Sequence, residues 1–264
     1  MSTAFDPGPA ARLIAEAYNT RTLLKDLPEG CRPKDVADGY AVQDRIAADT
    51  VAGHGLEDKL AGWKLGLGSA NAMRGAGLAR PVIGRVFEQR LYEDGDAVPV
   101  LGTPPALIEI EIAFTLARDV APTDKLANPL DAVAAAYLVS EIVVSRFADR
   151  KTVGLASFTA DSVGFHALVV GQEVDIAAIS DLTRTLAVSL DGKEIVRAAT
   201  GDDAIDPVAM LGHLMAHARE RGLTLKKGDM VTTGTLSKPF EATSPAAIIA
   251  TADGIELAYT MQIA

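Results

Sequence analysis

Downstream of Pro9, Leu13, Ile14, Ala17 and Tyr18 recur at helical spacing and predict an amphipathic helix reaching about Leu24. Pro28 and Gly30 break it. Pro33 suits a first helical turn, and Val36, Tyr40, Ile46 and Val51 carry a second helix that Gly53 and Gly55 end. From Leu60 the period changes to two. Leu60–Leu67 and Val82–Phe87 read as strands, and the Gly- and Ala-rich stretch Gly68–Gly77 between them reads as a mobile loop or short helix. Ala106–Leu116 is the cleanest alternation in the chain. A helix is expected next, with Asn128 as N-cap, Pro129 in the first turn and Asp131 near the positive end of the dipole. It runs into a strand over Leu138–Phe147.

The last third is mostly strands. Leu186–Leu190 and Glu194–Ala198 flank Asp191-Gly192-Lys193, and Ile248–Ala252 and Ile255–Met261 flank Asp253-Gly254; both read as hairpins. Between them a helix opens at Asp206-Pro207, carries Val208, Leu211, Leu214 and Met215, and ends at Gly222. There is no internal repeat. Helices followed by a strand-rich body predict an α+β fold, with a helical N-terminal region over 1–60 and a β-rich catalytic domain over 61–264.

Composition narrows the function. The 264 residues include 25 basic and 35 acidic side chains, a net charge of −10. An acidic chain lacks the footprint of a nucleic-acid binder. No apolar run reaches the roughly 18 residues of a membrane span, and Met1–Ala10 has neither a basic nor an apolar leader region. A cytoplasmic protein with no nucleic-acid or membrane partner is expected. One cysteine and four histidines leave carboxylates as the main metal ligands, which favours Mg²⁺, Mn²⁺ or Ca²⁺ over zinc.

Three carboxylates stand out. On Ala106–Phe114, alternation puts Ile108, Ile110, Ile112 and Phe114 on one face and Leu107, Glu109, Glu111 and Ala113 on the other. Glu109 and Glu111 are then roughly 6.5–7 Å apart along the strand. Such a pair is ordinary on a solvated face; on a dry one it needs a cation. Glu141 lies inside the apolar run Leu138–Val144, where a lone charge is costly. Two arrangements are open to it: a structural ion pair with Arg146 or Lys151, or a shared divalent cation with Glu109 and Glu111. Lys64, among apolar neighbours in Gly62-Trp63-Lys64-Leu65-Gly66, reads either as a snorkelling lysine at a strand edge or as a desolvated amine with a lowered pKa. Arg74 or Arg80 in the Gly-rich stretch is a candidate for a distal carboxylate of a ligand. His213 and His217 are spaced i, i+4 but lack the glutamate of a zinc-protease motif.

Taken in order, Gly62-Trp63-Lys64-Leu65-Gly66-Leu67, Ile108-Glu109-Ile110-Glu111, Glu141-Ile142-Val143-Val144-Ser145-Arg146, Ala160-Asp161, Leu211-Gly212-His213 and Thr233-Gly234-Thr235 resemble a known pattern. It is that of the hydratase/decarboxylase branch of the fumarylacetoacetate hydrolase superfamily, and it runs from about Tyr40 to the C-terminus. The resemblance implies a helical N-terminal region followed by a mixed β-roll, and self-association into a homo-oligomer. It implies Mg²⁺ or Mn²⁺ held by Glu109, Glu111 and Glu141, with Lys64 as active-site lysine and Asp161 beside it as a catalytic residue. Leu65, His213 and Thr233, with Arg74, become candidates for substrate binding.

The chain also departs from that pattern. Ala79 stands where hydratases of the branch carry an acidic residue in a G-x-D-x-P segment, Gly164 where a serine is expected, and Leu214 where a proline is expected. The implied reaction is hydration of a 2-hydroxypenta-2,4-dienoate-type 2-oxo acid through an enolate. Three alternatives are decarboxylation of a 4-oxalocrotonate-like diacid, C–C hydrolysis of an acylpyruvate, and a non-catalytic paralogue that binds an oxo acid. The hydrolase reading calls for a His–Glu pair near a lid, and His54 with Glu57 is the candidate in the N-terminal region.

Overall fold

The computed structural model describes residues 5–101 and 104–264. Met1–Ala4, part of the segment on which the leader reading rests, lies outside them. The helices are α1 (Gly8–Thr20), α2 (Val36–Val51), α3 (Ala70–Ala76), α4 (Gly154–Ala160), α5 (Ile179–Thr185) and α6 (Pro207–Glu220). The strands are β1 (Leu60–Gly66), β2 (Val82–Phe87), β3 (Leu91–Glu93), β4 (Ala97–Val100), β5 (Ala106–Leu116), β6 (Val133–Val143) and β7 (Phe165–Val174). They continue with β8 (Ala187–Leu190), β9 (Lys193–Arg197), β10 (Met230–Thr235), β11 (Phe240–Ala242), β12 (Ala246–Ala252) and β13 (Ile255–Ile263). Among the described residues no helix is long and apolar enough to cross a membrane.

The strands make two mixed sheets. The larger has the order β2-β1-β10-β5-β6-β7-β3, with β11 also pairing β5; the smaller has the order β4-β13-β12-β8-β9. β1–β10, β3–β7 and β4–β13 are parallel pairs. One face of the large sheet packs on the small one, so Ile108, Ile110, Ile112 and Phe114 share a core with Ile248, Leu257 and other residues of β12 and β13. A hydrogen bond of 2.8 Å between Ser140 Oγ and Tyr259 Oη crosses that interface. The other face lies under the N-terminal helices. There Ile14, Val42 and Ile46 share a second core with Ala113, Val139 and Phe165. Residue 60, where the boundary was expected, is the first residue of β1, and helices before it pack over the sheet that follows.

Local chemistry explains most elements. Asp35 caps α2 through Asp38 N–H, Ser69 caps α3, and Asp206 caps α6. Asp191-Gly192 and Asp253-Gly254 all have positive φ, as tight hairpin turns require. Three expectations need correction. α2 begins at Val36, so Pro33 lies before its cap. Asn128 caps a single 3-10 turn, Pro129–Ala132, and not a longer helix; the chain then extends at once into β6, which is longer than expected at its start and ends at Val143. Ser145 and Arg146 leave the sheet because they bond to Asp161. The face of β5 that carries Glu109 and Glu111 is not a wet one: Glu111 and Ala113 are fully buried and Glu109 is half-buried.

Candidate active site

The register of the large sheet assembles the site. Glu109 on β5 lies directly opposite Glu141 on β6, and Glu111 follows two residues along the same face. Lys64 on β1 pairs in register with Thr232 on β10, which pairs with Ala113 on β5. All four charged side chains therefore project toward the helical roof. Carboxylate oxygens of Glu109, Glu111 and Glu141 lie within 4.8 Å of one another. Like charges facing each other across two strands are destabilising, and here Glu111 and Glu141 have no exposure at all.

The partners are few. Gly234 N–H donates to Glu111 Oε2 at 2.7 Å, and Thr232 Oγ1 to Glu141 Oε2 at 3.3 Å. Glu111 Oε1 accepts no hydrogen bond. Lys64 Nζ stands 2.8 Å from Glu141 Oε1 as a charge contact, without hydrogen-bond alignment, and 3.5 Å from the Val163 carbonyl. Glu141 therefore pairs with Lys64, and neither Arg146 nor Lys151 is its partner. Burial pushes the Glu111 carboxyl well above the usual range, and Glu141 and Glu109 push it further. Burial raises Glu141 to about 7 against the opposing pull of Lys64. Burial alone would lower the Lys64 ammonium, but Glu141, Glu109 and Glu111 together hold it above its ordinary value, so Lys64 is neither the snorkelling lysine nor the amine of lowered pKa that the sequence left open. One ammonium facing two buried carboxylates and a half-buried third, with Glu111 Oε1 and Glu141 Oε1 both without a hydrogen bond, is the donor set of a divalent-cation site. The residues fit such an ion.

The roof is shaped by an unusual turn. Ser162, Val163 and Gly164 all have positive φ (49°, 56° and 75°). The turn hangs from Asp161, whose carboxylate accepts from Ser145 Oγ (2.7 Å), Arg146 N (2.9 Å) and Arg146 Nε (2.5 Å). Two glycines make room for it. A Cβ on Gly84 would stand 2.4 Å from Ser162 O and 3.0 Å from Lys64 Cδ. A Cβ on Gly164 would stand 2.9 Å from both Phe158 and Val143, so Phe158 and Val143 fill the space a serine there would need.

A cavity of about 580 Å³ opens beside the carboxylates and is lined by Leu65, Gly66, Glu109, Gly234 and Thr235 at its inner end and by Arg197 and Lys238 farther out. That is the size of a small-molecule site. Its wall is braced where Asn71 Nδ2 donates to Asp203 (2.9 Å) and Arg74 pairs with Asp202 (2.7 Å).

Of the expected residues, Lys64, Glu109, Glu111 and Glu141 come together, and Leu65 lines the cavity. Asp161 lies behind the turn, committed to Arg146. Thr233 is buried and donates to Ile112 O at 2.7 Å, next to the Gly234 amide that holds Glu111. Arg74 does not line the cavity, nor does the half-buried His213 on α6. His54 and Glu57 lie in the loop before β1, away from the cavity lining. Thr232, Gly234, Lys238 and the positive-φ turn at 162–164 were not singled out as functional by sequence reading. Thr232 and Gly234 act through register and a main-chain amide, neither of which has a composition signature.

A profile of the fumarylacetoacetate hydrolase C-terminal family matches residues 79–262. The chain belongs to that family, and its α+β architecture is that fold. A 2-keto-4-pentenoate hydratase of Paraburkholderia phymatum is 29% identical over 86% of each chain. A 4-oxalocrotonate decarboxylase of Pseudomonas sp. strain CF600 is 30% identical over 76% of this chain and 75% of its own. Among solved structures, 4-oxalocrotonate decarboxylase from Pseudomonas putida G7, complexed with magnesium and adipate, superposes with a TM-score of 0.80 at 22% identity over 95% of each chain.

Proposed function

We propose that this chain is a divalent-metal-dependent hydro-lyase that adds water to a 2-hydroxypenta-2,4-dienoate-type acid in aromatic or related catabolism. The observation that carries the reading is the Glu109–Glu111–Glu141 cluster beside Lys64, two of its carboxylates fully buried and the half-buried Glu109 lining a substrate-sized cavity. The similarity to 2-keto-4-pentenoate hydratases over most of both chains supports the same chemistry. Glu109, Glu111 and Glu141 would hold Mg²⁺ or Mn²⁺. A bound divalent cation supplies Lewis-acid polarisation of a 2-oxo acid's carboxylate and C2 oxygen.

The chain's own residues do the rest. In the reaction, the dienol loses its C2 hydroxyl proton and gains one at C5, giving a 2-oxo-3-enoate. Water then adds, hydroxyl to C4 and proton to C3. Lys64 Nζ is placed to hold or pass a proton, because three carboxylates keep it charged in a dry site. Asp161 serves as a positioning residue, fixing the turn whose Val163 carbonyl faces Lys64. Leu65 and Ile205 give the cavity apolar walls, and Thr235 and Ser237 give it polar ones. Arg74 and His213 stay outside the cavity lining, so their role in binding is indirect. A homo-oligomer in the cytoplasm, with a small 2-oxo acid as its partner and no nucleic acid or membrane, belongs to the same reading.

Lys238, exposed in the cavity lining, favours one second reading: decarboxylation of a 4-oxalocrotonate-like diacid whose far carboxylate meets a cation. Among the described residues no His–Glu pair lines the cavity to support the acylpyruvate-hydrolase reading.

The test is product mass. Metal-stripped protein with Mg²⁺ or Mn²⁺ restored should add water to 2-hydroxypenta-2,4-dienoate, and Glu109→Gln should abolish that turnover with the fold retained. Loss of carbon dioxide from 4-oxalocrotonate without hydration would select the second reading. Metal-independent turnover, or full activity in the variant, would sink both.

A further inference from the structure

Among the described residues six that are not glycine have positive φ, and five of them have a local reason. Asp191 and Asp253 make the two hairpin turns, Arg21 caps the end of α1, and Ser162 and Val163 form the turn that hangs from Asp161. The sixth is Leu67, with φ of 55°. It directly follows β1 and neither ends a helix nor closes a hairpin. The left-handed region strains a leucine and not a glycine, and glycines stand on both sides of it at 66 and 68. Core packing does not account for the leucine either. Leu67 is half-buried and belongs to neither of the two hydrophobic cores. It lines the large cavity, and among the described residues it is the one non-glycine residue of positive φ that does so. A strained residue that serves neither a turn nor the core points to function.

Its place along the wall says which function. Gly66 stands beside the charged cluster: a Cβ there would be 3.7 Å from Lys64 Nζ. On the other side, Gly68 packs so closely on α6 that a Cβ would stand 2.1 Å from Met210 Cε. Ser69 then caps α3, and Asn71 ties that helix to Asp203 at 2.9 Å. The lining thus runs from Lys64 outward to a braced wall, with Leu67 fixed between the two. We propose that Leu67 is the specificity-determining residue of this site: its side chain packs against the hydrocarbon tail of the substrate, beyond the atoms held at the carboxylates, and selects for tail length. The inference rests on reading the site as one for a 2-oxo acid. A cavity of about 580 Å³ is in the range that takes ligands larger than a five-carbon acid, so a longer tail has room to reach this wall.

The experiment is calorimetric binding of two saturated acids, 2-oxopentanoate and 2-oxoheptanoate, to the magnesium-loaded full chain. Neither has a double bond to hydrate, so binding is read apart from turnover. Two further methylenes against the wall should make 2-oxoheptanoate roughly tenfold tighter. Leu67→Gly, which suits the backbone, should bring that ratio down to about threefold or less, and Leu67→Met should restore most of it. The ratio is unmoved by a general loss of affinity, which a purely structural role would give. A ratio that survives in Leu67→Gly overturns the inference, and so does unchanged protein that binds the two acids equally. If either result comes with hydration of 2-hydroxypenta-2,4-dienoate intact, the role of Leu67 falls and the reading of the site stands. If neither acid binds and nothing is hydrated, both fall.

Discussion

Two buried ion pairs lie within one sheet and its roof, and they differ in balance. Arg146–Asp161 is complete: both Asp161 oxygens accept hydrogen bonds, and Arg146 also serves two carbonyls. Lys64–Glu141 is equally dry, with exposures of 1% and 0%, but it sits among two further carboxylates and leaves Glu111 Oε1 unbonded. The first pair holds a turn in place. The second has an excess of negative charge that the protein alone does not neutralise. Burial by itself does not mark a functional charge; an uncompensated remainder does.

Breaking the balanced pair should cost most. Asp161→Asn leaves Arg146 buried without its counter-charge and should destabilise the fold by about 3–5 kcal/mol in denaturant unfolding. Glu141→Gln in metal-free protein should change stability by no more than about 1 kcal/mol, because it removes surplus negative charge. If the two variants cost the same, the distinction between the pairs fails.

The pH response sharpens the contrast. Glu111 and Glu141 have raised pKa values in the metal-free fold, Glu141 from 4.5 to about 7. Between those values the folded chain binds more protons than the unfolded one, so stability falls as pH rises. Their contribution is fully present below the unfolded pKa and lost through the folded one. A divalent cation needs the ionised forms, so its affinity should grow with pH up to about 7. Melting curves across that window, with and without Mg²⁺, should therefore diverge as pH increases; parallel curves would contradict the site. The smallest effect is expected at Thr232→Val, which removes the 3.3 Å bond to Glu141. It should cost at most about 1 kcal/mol and weaken metal binding severalfold by calorimetry.

Much of the architecture was legible along the chain. The alternation of Ala106–Leu116 marked β5 at both ends, and the Asp-Gly pairs marked both hairpins, because these signals are local. No element was expected at β3, β4, α4, β7, α5, β10 or β11, and β6 begins earlier than its apolar run suggests. Ala-rich Val133–Tyr137 carries little period of its own, and its extension is set by pairing with β5. Glu109, Glu111, Glu141 and Lys64 could be singled out because charge inside apolar runs is costly wherever the run ends up. Their alternatives stayed open, since spacing does not say whether a strand's second face is wet.

The sequence by itself determined the periodicities, the caps and turns, and four ionisable side chains set among apolar neighbours, because each depends on residues close along the chain. Only the tertiary structure decided that Glu109 faces Glu141, that Lys64 and not Arg146 answers Glu141, and that helices cover the carboxylate face. It also set Arg74 and His213 outside the cavity lining. Those outcomes rest on strand register and on what packs over the sheet, and both are settled by contacts between distant segments.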